Sequence, residues 1–321
     1  WTWGESGPPR ETPFAETFPS AATPAPLLSP TRKIAAISSQ AGTGGGAART
    51  QPSIALWDLR AGKKITEITA GEVTLAMLAN ATDFSPDDQR FVLREAADDG
   101  ALRVYGIRDG KLLFQLAPEG SATFLTLRFN RDGTRLLTGN AWGTLLVWDG
   151  VSGKPLQSIQ AHSYGLGRID FSPDGRYYAT NSADGTAQVR DAATHEPVGA
   201  PLVHAATVNR VQFSADNTRV ATSTAAGAVR VWNLRTGLPL HDPFKHALGT
   251  GPSLDFSPDG RFLMTFFGSG NDRATRLWAA PPTGPARQAP SWLLRLATVC
   301  AGRRGMLRSP TKNMMRLRST T

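Results

Sequence analysis

Three histidines fall at one spacing: His162, His204 and His246 stand 42 residues apart in both steps. Histidine is a common metal ligand and general base near neutral pH, so a recurring histidine invites a metal or catalytic reading. The even spacing argues otherwise. Repeated once per structural unit, the three rings occupy equivalent places and stand too far apart to share an ion. A hydrogen-bonding role fits better, because neutral imidazole donates from one nitrogen and accepts at the other. The remaining chemistry-bearing residues point the same way. The pairs Asp87-Asp88 and Asp98-Asp99 lie in turn-like stretches and read as solvated turn residues. No serine sits in a Gly-x-Ser-x-Gly elbow, and Gly268-Ser269-Gly270 reads as part of a hairpin. The run from Gly42 to Gly46 lacks the Lys-Ser or Lys-Thr of a phosphate loop and reads as a loop between two strands. No catalytic residue, metal site or cofactor is expected.

Trp142 is a different kind of candidate. Asn140-Ala-Trp-Gly143 stands where a later unit has Ser182-Ala-Asp-Gly185, so a large aromatic replaces a turn carboxylate. Tryptophan is enriched among interface hot spots. Tyr164, Arg168 and Arg210 precede or open strands on what should be the same face, and with Trp142 they form the candidate partner-binding surface. The alternative is that Trp142 folds over a neighbouring unit and packs there. Exposure decides between the two.

The elements that must position these residues are read from repetition. One phrase recurs as Phe84-Ser-Pro-Asp-Asp88, Phe129-Asn-Arg-Asp-Gly133, Phe171-Ser-Pro-Asp-Gly175, Phe213-Ser-Ala-Asp-Asn217 and Phe256-Ser-Pro-Asp-Gly260, with a cousin at Leu28-Ser-Pro-Thr-Arg32. A second phrase keeps step with it: Leu56-Trp57-Asp58, Val147-Trp148-Asp149, Val189-Arg190-Asp191, Val231-Trp232-Asn233 and Leu277-Trp278-Ala279, with Val104-Tyr105-Gly106 in the equivalent place. Within one unit, Arg168–Phe171 alternates as a strand and Ser172–Gly175 is a tight turn. Tyr177–Thr180 is a second strand, Asp184-Gly185 a hairpin signal, Thr186–Arg190 a third strand, and a fourth is expected around Val198–Leu202. Four short antiparallel strands per period of about 42 residues is the pattern of a propeller blade. The fold class is therefore all-β, with six recognisable four-stranded blades.

These phrases resemble the WD40-repeat β-propellers over roughly residues 27–280. The wording Asp191-Ala-Ala-Thr-His-Glu-Pro-Val-Gly-Ala-Pro-Leu202, with His204 close behind, is similar to the bacterial version found in large multidomain proteins, often C-terminal to a serine/threonine kinase domain. The resemblance implies a hydrogen-bonded set in each blade of a histidine, a hairpin aspartate, a strand Ser or Thr and the third-strand tryptophan. Here that set is incomplete: His162, Thr180 and Asp184 with Arg190 for Trp; His204, Thr222 and Trp232 with Ala226 for Asp; His246, Asp272 and Trp278 beside a lengthened hairpin. The third unit has Trp148 without a histidine, and the second has Tyr105 and Asp99 without one.

Around the propeller, residues 1–26 read as a Pro-rich linker and residues 281–321 as a basic tail. The net charge of +9 is concentrated in that tail, which carries eight basic and no acidic residues. Residues 1–280 are nearly neutral, so no specific nucleic-acid partner is expected. The tail admits three readings: a short amphipathic helix over Trp292–Val299 that docks on the propeller, a disordered arm touching anionic surfaces, or non-native sequence. No stretch is long and apolar enough for a membrane helix, and the single Cys300 suits a reducing, cytoplasmic setting. Because the chain opens on Trp1 and shows six blades, a seventh blade upstream and an open seam between the first and last blades are expected. The expected function is a non-catalytic protein–protein interaction scaffold or sensor within a larger bacterial protein. The alternative is an enzyme or small-anion binder using the central channel, whose inner strands read Thr126-Leu-Arg128, Arg168-Ile-Asp170, Arg210-Val-Gln212 and Ser253-Leu-Asp255.

Overall fold

The recurring Phe-Ser-Pro-Asp-Gly phrase folds the same way each time. Its fifth residue adopts the left-handed conformation in every blade: Arg32, Asp88, Gly133, Gly175, Asn217 and Gly260 have φ between 54° and 75°. Glycine, asparagine and aspartate tolerate that region best, which explains their prevalence there. The second residue closes the turn with its side chain. The backbone N–H groups of Arg90, Tyr177, Arg219 and Phe262 donate to the hydroxyls of Ser85, Ser172, Ser214 and Ser257 at 2.9–3.0 Å, and Arg135 donates to the Asn130 amide oxygen at 2.9 Å.

The computed structural model describes residues 27–39, 53–69, 82–94, 101–117, 123–245, 252–269, 272–280 and 298–300. They form six four-stranded antiparallel sheets, each a meander. Blade one holds β1 (Leu27–Leu28), β2 (Ile34–Ser39), β3 (Ser53–Asp58) and β4 (Lys63–Thr69). Blade two holds β5 (Thr82–Phe84), β6 (Arg90–Arg94), β7 (Leu102–Gly106) and β8 (Leu112–Leu116). Blade three holds β9 (Phe124–Phe129), β10 (Arg135–Asn140), β11 (Thr144–Asp149) and β12 (Pro155–Gln160). Blade four holds β13 (Leu166–Phe171), β14 (Tyr177–Ser182), β15 (Thr186–Asp191) and β16 (Leu202–Val203). Blade five holds β17 (Val208–Phe213), β18 (Arg219–Thr224), β19 (Ala228–Asn233) and β20 (Phe244–Lys245). Blade six holds β21 (Ser253–Phe256), β22 (Phe262–Ser269), β23 (Asp272–Ala279) and β24 (Thr298–Cys300).

Two local expectations are corrected. The fourth strand of blade four is not continuous over Val198–Leu202: Pro197 bridges Arg190, and regular pairing resumes only at Leu202–Val203. Pro197 and Pro201 have no N–H for the ladder, so the outer strand breaks. The helix expected over Trp292–Val299 meets a strand in its last two residues, where Thr298–Cys300 pairs with Ala274–Arg276; its other residues lie outside the described ones. So do the glycine loop at Gly42–Gly46, Asp98-Asp99 and the linker 1–26.

The cores lie between blades. Leu56 and Ile54 pack with Phe84 and Phe91; Val104 and Leu102 with Phe124 and Leu136; Leu145 and Val147 with Leu166 and Tyr178; Val189 with Val211 and Val220; Val231 with Leu254 and Leu263. Among the described residues five such cores join consecutive blades, and none joins blade six to blade one. The second strand of blade six shows the consequence. Met264 and Phe266 are 41% and 42% exposed, whereas Leu137 at the position of Met264 in blade three is 1% exposed.

Candidate functional site

The hairpin tip of blade three carries Trp142. Its backbone is fixed. Asn140 Oδ1 accepts from the N–H groups of Trp142 and Thr144 at 2.9 and 3.0 Å, so an asparagine turn replaces the absent aspartate. Gln160 Nε2 donates to the Trp142 carbonyl at 2.8 Å. Gly143 has φ +78°, and a Cβ there would fall 2.6 Å from the Tyr164 carbonyl oxygen, so the tip lies directly against the segment that enters blade four. With the backbone held this way, Trp142 is 64% exposed and Tyr164 is 67% exposed. The alternative of a packed Trp142 is excluded.

Below Tyr164 a cleft of about 600 Å³ opens between the inner strands of blades three to five, lined by Leu125, Tyr164, Asn181, Arg168 and Arg210 among others. Its shape comes from bulges. The ladder between inner and second strand slips at one residue in each blade, at Leu125, Gly167 and Asn209, all of which line the cleft. A bulge re-aims the side chains beside it; here it directs Arg168 and Arg210, at equivalent registers of neighbouring blades, into one space. Burial pushes the Arg168 guanidinium below its ordinary value, and the like charge of Arg210 pushes it further. Among the described residues no carboxylate lines the cleft.

Two residues further along the same strands the wall is different. Asp83, Arg128 and Asp170 occupy one register on blades two, three and four. Arg128 Nη1 is 3.3 Å from Asp83 Oδ1 and Nη2 is 3.6 Å from Asp170 Oδ1. Asp83 Oδ2 also accepts the Phe129 N–H at 2.9 Å. Burial raises the Asp83 carboxyl above its ordinary value despite Arg128. Burial also works against the Arg128 charge, but the two carboxylates outweigh it and raise its pKa. The aspartate on blade two escaped the sequence reading, because the short inner strand Thr82–Phe84 shows no clear alternation. A second recurring arginine was also missed: Arg90 and Arg219, each six residues after the phrase phenylalanine, donate to the carbonyls of Gly150 and Gly260 in the next blade at 2.5 and 2.8 Å. Their position within the repeat was the available signal.

The structure brings His162, Thr180 and Asp184 together in blade four and His204, Thr222 and Trp232 together in blade five. His162 Nε2 and Thr180 Oγ1 are 2.8 Å apart, His162 Nδ1 is 2.9 Å from Thr186 Oγ1 and 3.3 Å from Asp184 Oδ2, and Asp184 Oδ1 accepts the Thr186 N–H at 2.8 Å. In blade five, Thr222 Oγ1 lies 2.8 Å from His204 Nε2 and accepts the Trp232 indole N–H at 2.8 Å. The indole N–H groups of Trp148 and Trp278 donate to Thr138 and Thr265 at 2.9 Å. Burial pushes both imidazoles down, His204 to about 4 with help from the Arg230 charge. Arg190, in the tryptophan place of blade four, turns instead to the His195 carbonyl at 2.9 Å. His246 and the Asp272 side chain lie outside the described residues.

Comparison with known proteins agrees with this geometry. The family model described as "WD domain, G-beta repeat" matches residues 110–149, 153–191 and 197–233. Each match takes the outer-strand region of one blade and the first three strands of the next, so the sequence repeat is staggered against the structural blade. Among solved structures the chain is similar to the computationally designed Ika8 protein, with a TM-score of 0.61 and 21% identity over 82% of this chain and 72% of that one, a likeness of fold alone. With six meandering blades, the recurrent turn phrase and the staggered repeats, the chain folds as a WD-repeat β-propeller, and residues 110–233 carry three repeats that match the WD40 family model.

Proposed function

We propose that this propeller is a non-catalytic protein-recognition domain, the scaffold or sensor part of a larger bacterial protein, and that it binds its partner on the face bearing Trp142, Tyr164, Arg168 and Arg210. WD40 repeats generally serve protein–protein interaction. The observation that carries the reading is the exposure of Trp142 on a fully anchored backbone. Packing or turn closure would not select such a side chain, because Asn140 already closes the turn and the ring covers little of its own fold. A rigid scaffold presenting an exposed aromatic pair is the arrangement that interfaces reuse. The test is affinity capture with the full chain, comparing the wild type with the Trp142→Ala/Tyr164→Ala double variant. Proteins retained by the wild type should be lost from the variant while its melting temperature stays unchanged. Equal retention by both would place the interface elsewhere.

A further inference from the structure

We propose that the turn between β15 and β16 is an acid-sensitive latch on the joint between blades three and four: protonation of His195 releases its ring from the joint and loosens the turn. The inference is independent of the recognition face. Three departures from the repeat meet at this turn. His195 stands at φ +62°, where the same turn of blades one, two, three and five has Gly62, Gly110, Gly153 and Gly237 at φ +62° to +73°. A side chain in that region is strained and stays there only while its contacts hold it. Tyr178 stands where blades two, three, five and six have Phe91, Leu136, Val220 and Leu263. It is fully buried among Leu137, Val147 and Leu166 in the core of the joint, and its hydroxyl reaches back to His195 Nδ1 at 3.2 Å. Arg190 stands in the tryptophan place. It is buried, donates to the His195 carbonyl at 2.9 Å and leaves its Nε without a hydrogen bond.

The groups around the imidazole decide what a proton does there. Tyr178 lies on β14, Arg190 and Asp191 on β15, and Arg135 across the joint on β10. The Tyr178 hydroxyl can donate or accept, so that bond survives a change of ring charge. What a proton adds is a third positive charge beside Arg190 and Arg135. Asp191 offsets part of it, but its Oδ1 already accepts the N–H groups of Ala193 and Thr194, and Asp149 sits 3.6 Å from Arg135. Burial holds the ring below its ordinary pKa, and the two arginines push it further against Asp191. Swinging the ring out would relieve the charge crowding and the backbone strain together, and admit water to Arg190 Nε. As pH falls below about 6.5 the released ring takes up a proton that the docked ring refuses, so release gains ground.

Amide hydrogen exchange on the full chain tests this. The reporters are the Asp191 and His195 N–H groups, which donate to the Glu196 and Asp191 carbonyls. The reference is the histidine-free turn of blade three, where the Asp149 and Gly153 N–H groups donate to the Lys154 and Asp149 carbonyls. After correction for the intrinsic pH dependence of exchange, protection of the reporters should fall about tenfold from pH 7 to pH 5 while the reference holds. His195→Gly restores the residue that four other blades carry, and it should keep the fold and abolish the response. His195→Asn, which also tolerates this backbone, should do the same. Reporters whose protection is the same at both pH values would overturn the proposal. So would a response that survives in His195→Gly and His195→Asn, or an equal loss at the blade-three turn, which would mark general acid unfolding.

Discussion

The channel wall has two tiers built from the same strands two residues apart, and they handle charge in opposite ways. In the deeper tier, Asp83, Arg128 and Asp170 alternate in sign across blades two, three and four, and the one cation meets an anion on each neighbouring blade. In the upper tier, Arg168 and Arg210 stand side by side on blades four and five, and the charge of one depresses the other. A repeat makes positions equivalent but leaves the sign of the charge at each position free. Alternating signs become a belt that ties blades together; like signs concentrate positive charge at one place on the wall.

Breaking the belt should give the largest effect. Arg128→Ala strands the Asp83 carboxylate, which burial already holds above its ordinary pKa, leaving the backbone N–H groups of Phe129 and Phe84 to stabilise its charge in place of a cation. Removing one partner of a buried pair costs more than the pair itself contributes. The Arg128 side chain is 38% exposed, so the expected loss is roughly 2–4 kcal/mol, below the full buried-pair figure. Chemical denaturation measures it, and adding Asp83→Asn should recover part of the loss. A loss under about 0.5 kcal/mol would mean that the deeper tier is a set of neighbours rather than a belt.

The interior histidine of blade five sharpens the contrast by pH. The His204 pKa falls from 6.5 to about 4 on folding, chiefly through burial. Above pH 6.5 the ring is neutral in both states and its contribution to stability is fully present. As pH falls from 6.5 towards 4 the unfolded chain takes up a proton that the folded one refuses, so stability is lost across that window. After discounting for partial exposure the loss is roughly 1–2 kcal/mol. Melting curves from pH 7.5 to 4.5 should show it, and His204→Asn should flatten the slope. A slope unchanged in that variant would assign the acid sensitivity to other groups.

How much of this was legible in the sequence follows from what each feature depends on. The blade and its turns were legible because they are local: Ser172 closing onto Tyr177 and Gly175 at positive φ are decided within six residues. The pairing of His162 with Thr180 and of His204 with Thr222 was legible because these residues keep the repeat period. The exposure of Trp142 was left open because it turns on Asn140 taking over the turn, a substitution that a pattern of aspartates hides. The two-tier wall was read only as loose arginines and aspartates. Its order depends on bulges at Gly167 and Asn209 that set which side chain faces which, and on Asp83 in a three-residue strand. The broken outer strand of blade four was signalled by Pro197 and Pro201 and was overlooked in favour of the alternation around them.

The smallest expected effect is also the one that separates the tiers most directly. Arg210→Ala removes a cation from the same wall as Arg128→Ala, and a half-buried arginine ordinarily contributes packing through its stem. Here that loss is set against relief of the repulsion on Arg168, the group that burial and Arg210 both depress. The two contributions oppose each other, so stability should change by no more than about 0.5 kcal/mol in either direction. The salt response should differ as well. Screening weakens repulsion between partly exposed like charges, so raising ionic strength should stabilise the wild type slightly more than the Arg210→Ala variant. Denaturation midpoints at low and high salt for the wild type and both arginine variants make the comparison. If Arg210→Ala destabilises the fold as Arg128→Ala does, the upper tier is structural, and the cleft must be read as part of the blade joint rather than as a surface kept for a partner.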